Sequence, residues 1–522
     1  MRKRTGLTLL IAAVSAGAAV TGAGSAAGAT VRGHELRPGD LLVSGSYYTT
    51  DTSLVDGQTV LPAGCTSDCV TAIADGTYPY AFDNDTVDGS FGITSKIFLD
   101  EITPSGRPVS RIAVPSDRIV SSFSSKSELA LNLSSDGRYV TFMGYDAAPD
   151  ELDVSNSNTP GANDPTNPVT GSHYREVAEL NAAGQLSYTK TNAYSGNNGR
   201  AAIEDNGLIY TAGNAGNGSN PQPDGVILGA GAQIIRPGVT TALPTPVASF
   251  NITELGDKAD KVGKDDNFRG LTLHDNVLYY DKGSGGNGVD TVYFVDTSGK
   301  ACPDGTGLPA DGAKLPTSPL SYDSSTLQAD GLPSNMCVLN GFPTTLAKSS
   351  SNDFYPFGIW FANDDTVYVA DEGSGDSTYA NGSYTTAASD PQAGLQKWVF
   401  DKAAGEWKLA YTLQTGLDLG QPYTVKGYPT GVNSVTGLPW TPATDGLRNI
   451  TGRVNPNGTV TIWAITSTVS GSGDPGADPN KLVEITDPLN ATAPATGESF
   501  RTVRAARYAQ VLRGVSFTPG TR

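Results

Sequence analysis

The chain has 522 residues, 38% of them hydrophobic, with 62 glycines, 33 prolines and a net charge of −18. That apolar content is enough for a large core, so disorder of the whole is excluded. So acidic a chain argues against nucleic acid and anionic membranes as partners and favours solubility or divalent cations.

At the start of the chain Arg2, Lys3 and Arg4 precede an almost wholly small or apolar run at 7–19, and Ala27-Gly28-Ala29 offers a small-x-small cleavage pattern. Residues 1–29 therefore read as a signal peptide and 30–522 as one exported domain, secreted to the extracellular space. The Gly- and Ser-rich second half of the leader makes a poor spanning helix, and no later apolar run reaches membrane length, so no membrane span is expected. The four cysteines, Cys65, Cys69, Cys302 and Cys337, then fall in an oxidising compartment. Three pairings exist; the sequence-local one joins Cys65 to Cys69 and Cys302 to Cys337. With only His34, His173 and His274 to help, their spacing does not fit a zinc site.

From residue 40 onward, short β-branched and aromatic runs alternate with Gly, Asn, Asp and Pro, the pattern of an all-β fold with many turns. Five segments align on one another: 129–145 (LALNLSSDGRYVTFMGY), 201–213 (AAIEDNGLIYTAG), 271–282 (LTLHDNVLYYDK), 359–371 (IWFANDDTVYVAD) and 450–466 (ITGRVNPNGTVTIWAIT). Each is a strand, a tight Asp/Asn/Gly turn and a second strand. Further strands follow, at 174–180 and 185–189, at 395–400 and 407–413, and at 481–485 and 500–504. Four antiparallel strands per unit is the blade of a β-propeller. The two chain ends supply a sixth unit: 512–517 is a lone first strand, and 40–48, 96–102 and 109–114 are three strands lacking one. The expectation is a monomeric six-bladed propeller closed by pairing its termini, with seven blades as the fallback if 302–346 hides a degenerate unit.

In such a ring, the residues leading into each first strand share a face with the loop that follows each hairpin. Arg200, Arg269, Arg448 and Arg513 occupy nearly one register there, and Lys126 stands in a fifth blade. In a chain with only 35 basic residues this predicts a cationic collar at the channel mouth, able to grip carboxylate, phosphate or sulfate. The structural alternative pairs each arginine with an acid of a neighbouring blade, such as Asp266, Asp353 or Asp445. The loops on that face (155–168, 214–225, 283–290, 372–383 and 470–480) are rich in Gly, Asp and Asn, residues that make good turns and also supply hard oxygen ligands for calcium. Asp83, Asp85 and Asp88 form the densest acidic cluster and are the candidate metal ligands. Asp265, Asp266, Glu372 and Asp445 are candidate metal ligands or general bases on the same face. No nucleophile elbow occurs, the histidines form no evident dyad, and His274 reads as a strand histidine bonded in the core or a turn.

Pro356-Phe357-Gly358-Ile359 followed by Thr366-Val367-Tyr368-Val369-Ala370-Asp371 resembles a blade of NHL-type, gluconolactonase-like and lactonase-like propellers. The resemblance implies a divalent metal or ligand in the channel and, in hydrolytic members, channel-lining Glu, Asn and Asp. A second segment, Gly446-Leu447-Arg448-Asn449-Ile450-Thr451-Gly452 with Pro456-Asn457-Gly458, resembles the soluble quinoprotein sugar dehydrogenases, which are six-bladed and calcium-dependent. Leu447 stands where those enzymes carry a histidine base. Three functions follow as expectations: a metal-assisted hydrolase or lyase for an anionic or polyhydroxylated ligand, a non-catalytic propeller binding a glycan or protein, and a quinoprotein oxidoreductase.

Overall fold

Tight turns set the length of each strand pair. At Asn206-Gly207 and Asp275-Asn276 both turn residues adopt positive φ (51° and 77°; 44° and 58°), the two-residue hairpin geometry that Asn, Asp and Gly tolerate. The computed structural model describes residues 35–522 apart from 49–54, 62–65, 67–68, 73–75, 77–82, 85–88, 123–126, 164–166, 168, 170, 216–229, 239–244, 247–265, 303 and 318–335.

The larger sheets number six, and together they form a six-bladed β-propeller. From the axis outward, the second blade is Asn132–Leu133, Tyr139–Tyr145, Arg175–Asn181 and Leu186–Thr191. The third is Gly199–Asp205, Leu208–Gly213, Ala232–Ile235 and Thr245–Pro246. The fourth is Gly270–His274, Val277–Lys282, Thr291–Val295 and Met336–Leu339, with Thr306–Gly307 parallel at its edge. The fifth is Pro356–Asn363, Thr366–Asp371, Gly394–Asp401 and Glu406–Leu413. The sixth is Ala443–Val454, Thr459–Val469, Lys481–Pro488 and Arg501–Ala505.

The first blade closes the ring. Its inner strand, Gln510–Phe517, comes from the end of the chain and pairs with Leu41–Tyr47, followed by Thr94–Ile102 and Pro108–Ala113. The register runs from Leu41 opposite Phe517 to Tyr47 opposite Gln510. Beyond it, Thr518 N donates to Asp40 O (3.0 Å) and Gly520 N to Gly137 O (2.7 Å), which ties the tail to the first and second blades. The fallback of seven blades is not realised: the described part of 302–346 supplies the outer strands of the fourth blade. Cys302 and Cys337 are joined there by a disulfide. Cys69 is also disulfide-bonded, and Cys65 lies outside the described residues.

Inner strands pass so close to one another that a side chain has no room at certain positions. A Cβ on Gly270 would sit 2.9 Å from Phe357 O, one on Gly358 2.6 Å from Arg448 O, and one on Gly514 2.3 Å from Leu129 O. Each of these glycines directly follows a residue that points to the axis (Arg269, Phe357, Arg513), so close approach of the backbones and placement of the side chains are coupled. Away from the axis the blades pack through aliphatic and aromatic faces, for example Phe268 against Tyr280 (5.1 Å between centroids) and Phe342 against Trp398 (4.1 Å, stacked).

Between the fifth and sixth blades a buried ion pair interrupts that apolar packing. Lys397 and Asp487, both with fully buried side chains, meet at 2.9 Å. Lys397 Nζ also donates to Tyr411 OH (3.0 Å) and Pro488 O (2.8 Å), and Asp487 accepts the hydroxyls of Tyr368 and of Tyr411 (2.6 Å). All three ammonium protons are used, which is the condition for such a pair to persist in a core. Lys397→Met strands the carboxylate; the expected loss is about 3–5 kcal/mol in a urea titration. An unchanged midpoint would show that the pair does not hold these blades together.

Candidate functional site

Arginines converge on one end of the channel because the inner strands begin there. Arg200, Arg448 and Arg513 lie within inner strands and Arg269 immediately before one; they are 5%, 4%, 2% and 6% exposed. Arg269 spans the mouth: Nη1 donates to Ser127 Oγ of the second blade (2.5 Å), Nη2 bonds Ser284 Oγ, and Nη2 lies 3.9 Å from Glu372 of the fifth. Glu372 also takes Arg448 Nε at 3.1 Å, so a single carboxylate serves two guanidiniums. Phe357 lies beneath both cations, its ring 5.9 Å from Arg269 and 5.6 Å from Arg448. Arg200 turns instead to Asn267 and to Phe268 O (2.9 Å), and Arg513 to Tyr48 OH (3.2 Å).

The two features expected to share a face therefore meet: Ser284 and Glu372 come from loops that follow second strands, the arginines from the starts of inner strands. The bridging acid is Glu372. Asp266 and Asp445 are buried at the same level, where Asp445 receives Gly375 N (2.8 Å), and Asp353 is exposed. Lys126, Asp265, Asp85 and Asp88 lie outside the described residues, and Asp83 lies in the short strand Asp83–Asn84 with its side chain undescribed. His274 stacks on Phe361 (4.4 Å) and meets Asp364 at 3.0 Å, at the far end of the channel from the arginines. Leu447 is fully buried and Asn449 Oδ1 caps Val515 N (2.7 Å), which gives the segment resembling quinoproteins a packing role.

Several contributors carried no signal that sequence reasoning used. Glu128 accepts Tyr145 OH and Ser122 N (2.8 Å) beside the arginines. Arg175 is fully buried and ties down the surrounding loops through Ser155 O (3.1 Å), Ser157 O (2.7 Å), His173 O (2.8 Å) and Asn197 O (2.6 Å). Asp281, next to last in its second strand, and Asp371, last in the equivalent one, each hold the start of the paired inner strand through a backbone amide: Gly270 N at 2.9 Å and Tyr355 N at 2.8 Å. Burial holds both carboxyls well above the usual range.

Charge in the mouth is crowded and buried. Burial, then the proximity of Arg269, pushes the Arg200 guanidinium well below its usual value. Burial lowers Arg269 too, with Glu372 opposing and Arg448 adding to the fall. Arg200 Nε and Arg269 Nε are buried and donate to nothing among the described residues. A cleft of about 310 Å³ containing Tyr355, Asp290 and Ser374 reaches Glu372 and Ser284. As to metals, among the described residues Asp296, Cys302 and Cys337 form a group with ligand atoms within 4.8 Å of one another. The two sulfurs are joined to each other, so the group offers thiolates only after reduction.

No protein-family model matches the chain, and no curated protein matches it. Among solved structures, an ulvan lyase (a PL25 polysaccharide lyase) bound to a glucuronate–rhamnose-sulfate saccharide aligns with 12% identity over 91% of this chain and 96% of its own, at a TM-score of 0.30. The extracellular domains 1-2 of Drosophila semaphorin 1a align with 9% identity over 79% and 86%, at 0.25. A Synechocystis apocarotenoid oxygenase aligns with 9% identity over 85% and 63%, at 0.20. Likeness this loose carries nothing about chemistry.

On the same face, Asp478 is buried with Tyr428 bonded to it. Burial pushes its carboxyl up to about 7, Asp474 adding to the rise and Ser470, Tyr428 and Arg448 opposing it. An unfolded aspartate titrates near pH 4. The folded state thus holds a proton that the unfolded one releases, and the stability this confers, present below about pH 4, is lost as pH rises to about 7. Asp478→Asn is expected to flatten that part of the stability–pH curve, read from urea midpoints between those values; an unaltered slope would assign it to other groups.

Proposed function

We propose that the chain is an exported propeller whose arginine mouth binds an anionic ligand, a carboxylate, sulfate or phosphate carried by a small molecule or glycan fragment. One observation carries the reading: the buried guanidinium nitrogens Arg200 Nε and Arg269 Nε have no acceptor among the described residues. Each unmet donor costs on the order of 1–3 kcal/mol, more when the group is charged. An anion between them supplies the acceptor and offsets the mutual repulsion that burial intensifies. Arginine suits the task because its planar fork meets carboxylate and sulfate oxygens in pairs.

Turnover is the finer part of the reading. A guanidinium that neutralises a uronate carboxylate makes the neighbouring C–H more acidic, so elimination, with a base taking that proton as the glycosidic oxygen leaves, stands beside metal-assisted hydrolysis as the reaction to test. Calcium assistance rests on Asp83, Asp85 and Asp88. Export rests on the leader at 1–29 and is supported by the disulfide; no helix among the described residues is long and apolar enough to cross a membrane.

The test is thermal unfolding at low ionic strength with sulfate, phosphate or glucuronate. An anion at 100 times its Kd adds about 2.7 kcal/mol and raises Tm. That rise is expected to vanish in Arg269→Met and Arg200→Met, and to grow in Glu372→Gln, where the resident carboxylate no longer competes. No anion-dependent rise in the unaltered protein would sink the reading. With binding in hand, the ultraviolet absorbance of an unsaturated product from a polyuronate identifies a lyase; saturable binding without it identifies a docking propeller.

A further inference from the structure

The opposite end of the channel holds a cavity of about 780 Å³ to which all six inner strands contribute. Its inner end is an apolar ring of Leu131, Ile203, Ile359 and Ile450, all buried, a few residues along the inner strands from the level of the arginines. These residues lie between the two mouths, whose chemistry differs. At this end Asp136 is paired with Arg138 and His274 with Asp364, while Arg453 and Arg522 stand at the exposed rim, where solvent and salt screen them. The walls carry no buried charge.

They carry an aromatic platform and free hydroxyls. Trp360 is half-buried and lines the cavity. Its ring lies against Gly452, where a Cβ would come within 2.7 Å of Trp360 Cε3, so the flat approach depends on that glycine. The side-chain hydroxyls of Thr272, Thr451 and Ser516, from three different blades, line the same cavity without a hydrogen-bond partner among the described residues. A volume within the 300–1,000 Å³ range of ligand sites, one indole and convergent uncharged hydroxyls together form a complement for a polyhydroxylated ring.

We infer that this mouth is a second ligand site, distinct from the arginine mouth, which takes an uncharged sugar unit stacked on Trp360 and hydrogen-bonded by Thr272, Thr451 and Ser516. The inference does not rest on the anion reading. An apolar ring face is desolvated against the indole while the hydroxyls of the ligand exchange water for the three side chains. Lacking buried charge, the site has no preference for acids.

The experiment is saturation-transfer NMR on the full chain with methyl glycosides of glucose, galactose, mannose, xylose and rhamnose. Transfer to at least one is expected, lost in Trp360→Leu and reduced several-fold in Thr272→Val, a near-isosteric change that keeps the wall intact should the tryptophan variant fold poorly. Excess sulfate is expected to leave the transfer unchanged. No transfer to any glycoside, transfer that survives both substitutions, or transfer abolished by sulfate would each overturn the inference; the last would move the sugar to the arginine mouth and leave the anion reading standing.

Discussion

The pairing of Gln510–Phe517 with Leu41–Tyr47 is the constraint on which the rest of the molecule depends. Without it the ring would end in two open sheet edges, and the inner strand bearing Arg513 would have no blade. The pairing joins residues more than four hundred positions apart, so its loop-closure cost is met only once the other blades have brought the ends together. The tail then fastens the result by bonds to Asp40 and Gly137. Closure also fixes the channel radius, and so decides how near Arg513, Arg448, Arg269 and Arg200 must come to one another.

That nearness would be untenable on a deformable scaffold. Buried like charges drive apart whatever holds them, and the mouth answers with crossing bonds: Arg269 reaches Ser127 in the second blade and Glu372 in the fifth, and Arg200 the backbone of the fourth. Further out, Lys397 and Asp487 join the fifth and sixth blades within otherwise apolar packing. The charges converge because every inner strand begins at this end.

Much of this was legible in the sequence, for physical reasons. Asn206-Gly207 and Asp275-Asn276 admit few backbone geometries, so the hairpins could be read one by one, and the unmatched strands at the two ends implied ring closure. The register of Arg200, Arg269, Arg448 and Arg513 was legible because inner strands repeat. Their partners were not: Glu372, Ser127 and Ser284 reach them through loops whose course no periodicity encodes, and neighbouring acids such as Asp353 turned out to face solvent. A signal passed over was the glycine after Arg269, Phe357 and Arg513, which marks where one inner strand presses on the next. The half-buried Trp360 was unreadable for a related reason, since its role depends on Gly452 in another blade.

The two mouths also differ in how they are framed. The arginine mouth is bordered by the described loops that follow second strands and carry Ser284 and Glu372. The opposite mouth is bordered by hairpins of only a few residues, which leave Trp360, Thr272 and Thr451 little freedom to lose when a ligand arrives. Rigid walls suit recognition by shape and hydrogen bonding, where a small displacement breaks contact; guanidiniums act on charge over longer distances. Leu131, Ile203, Ile359 and Ile450 place apolar surface between the two regimes, where a charge would lose its hydration without gaining a partner.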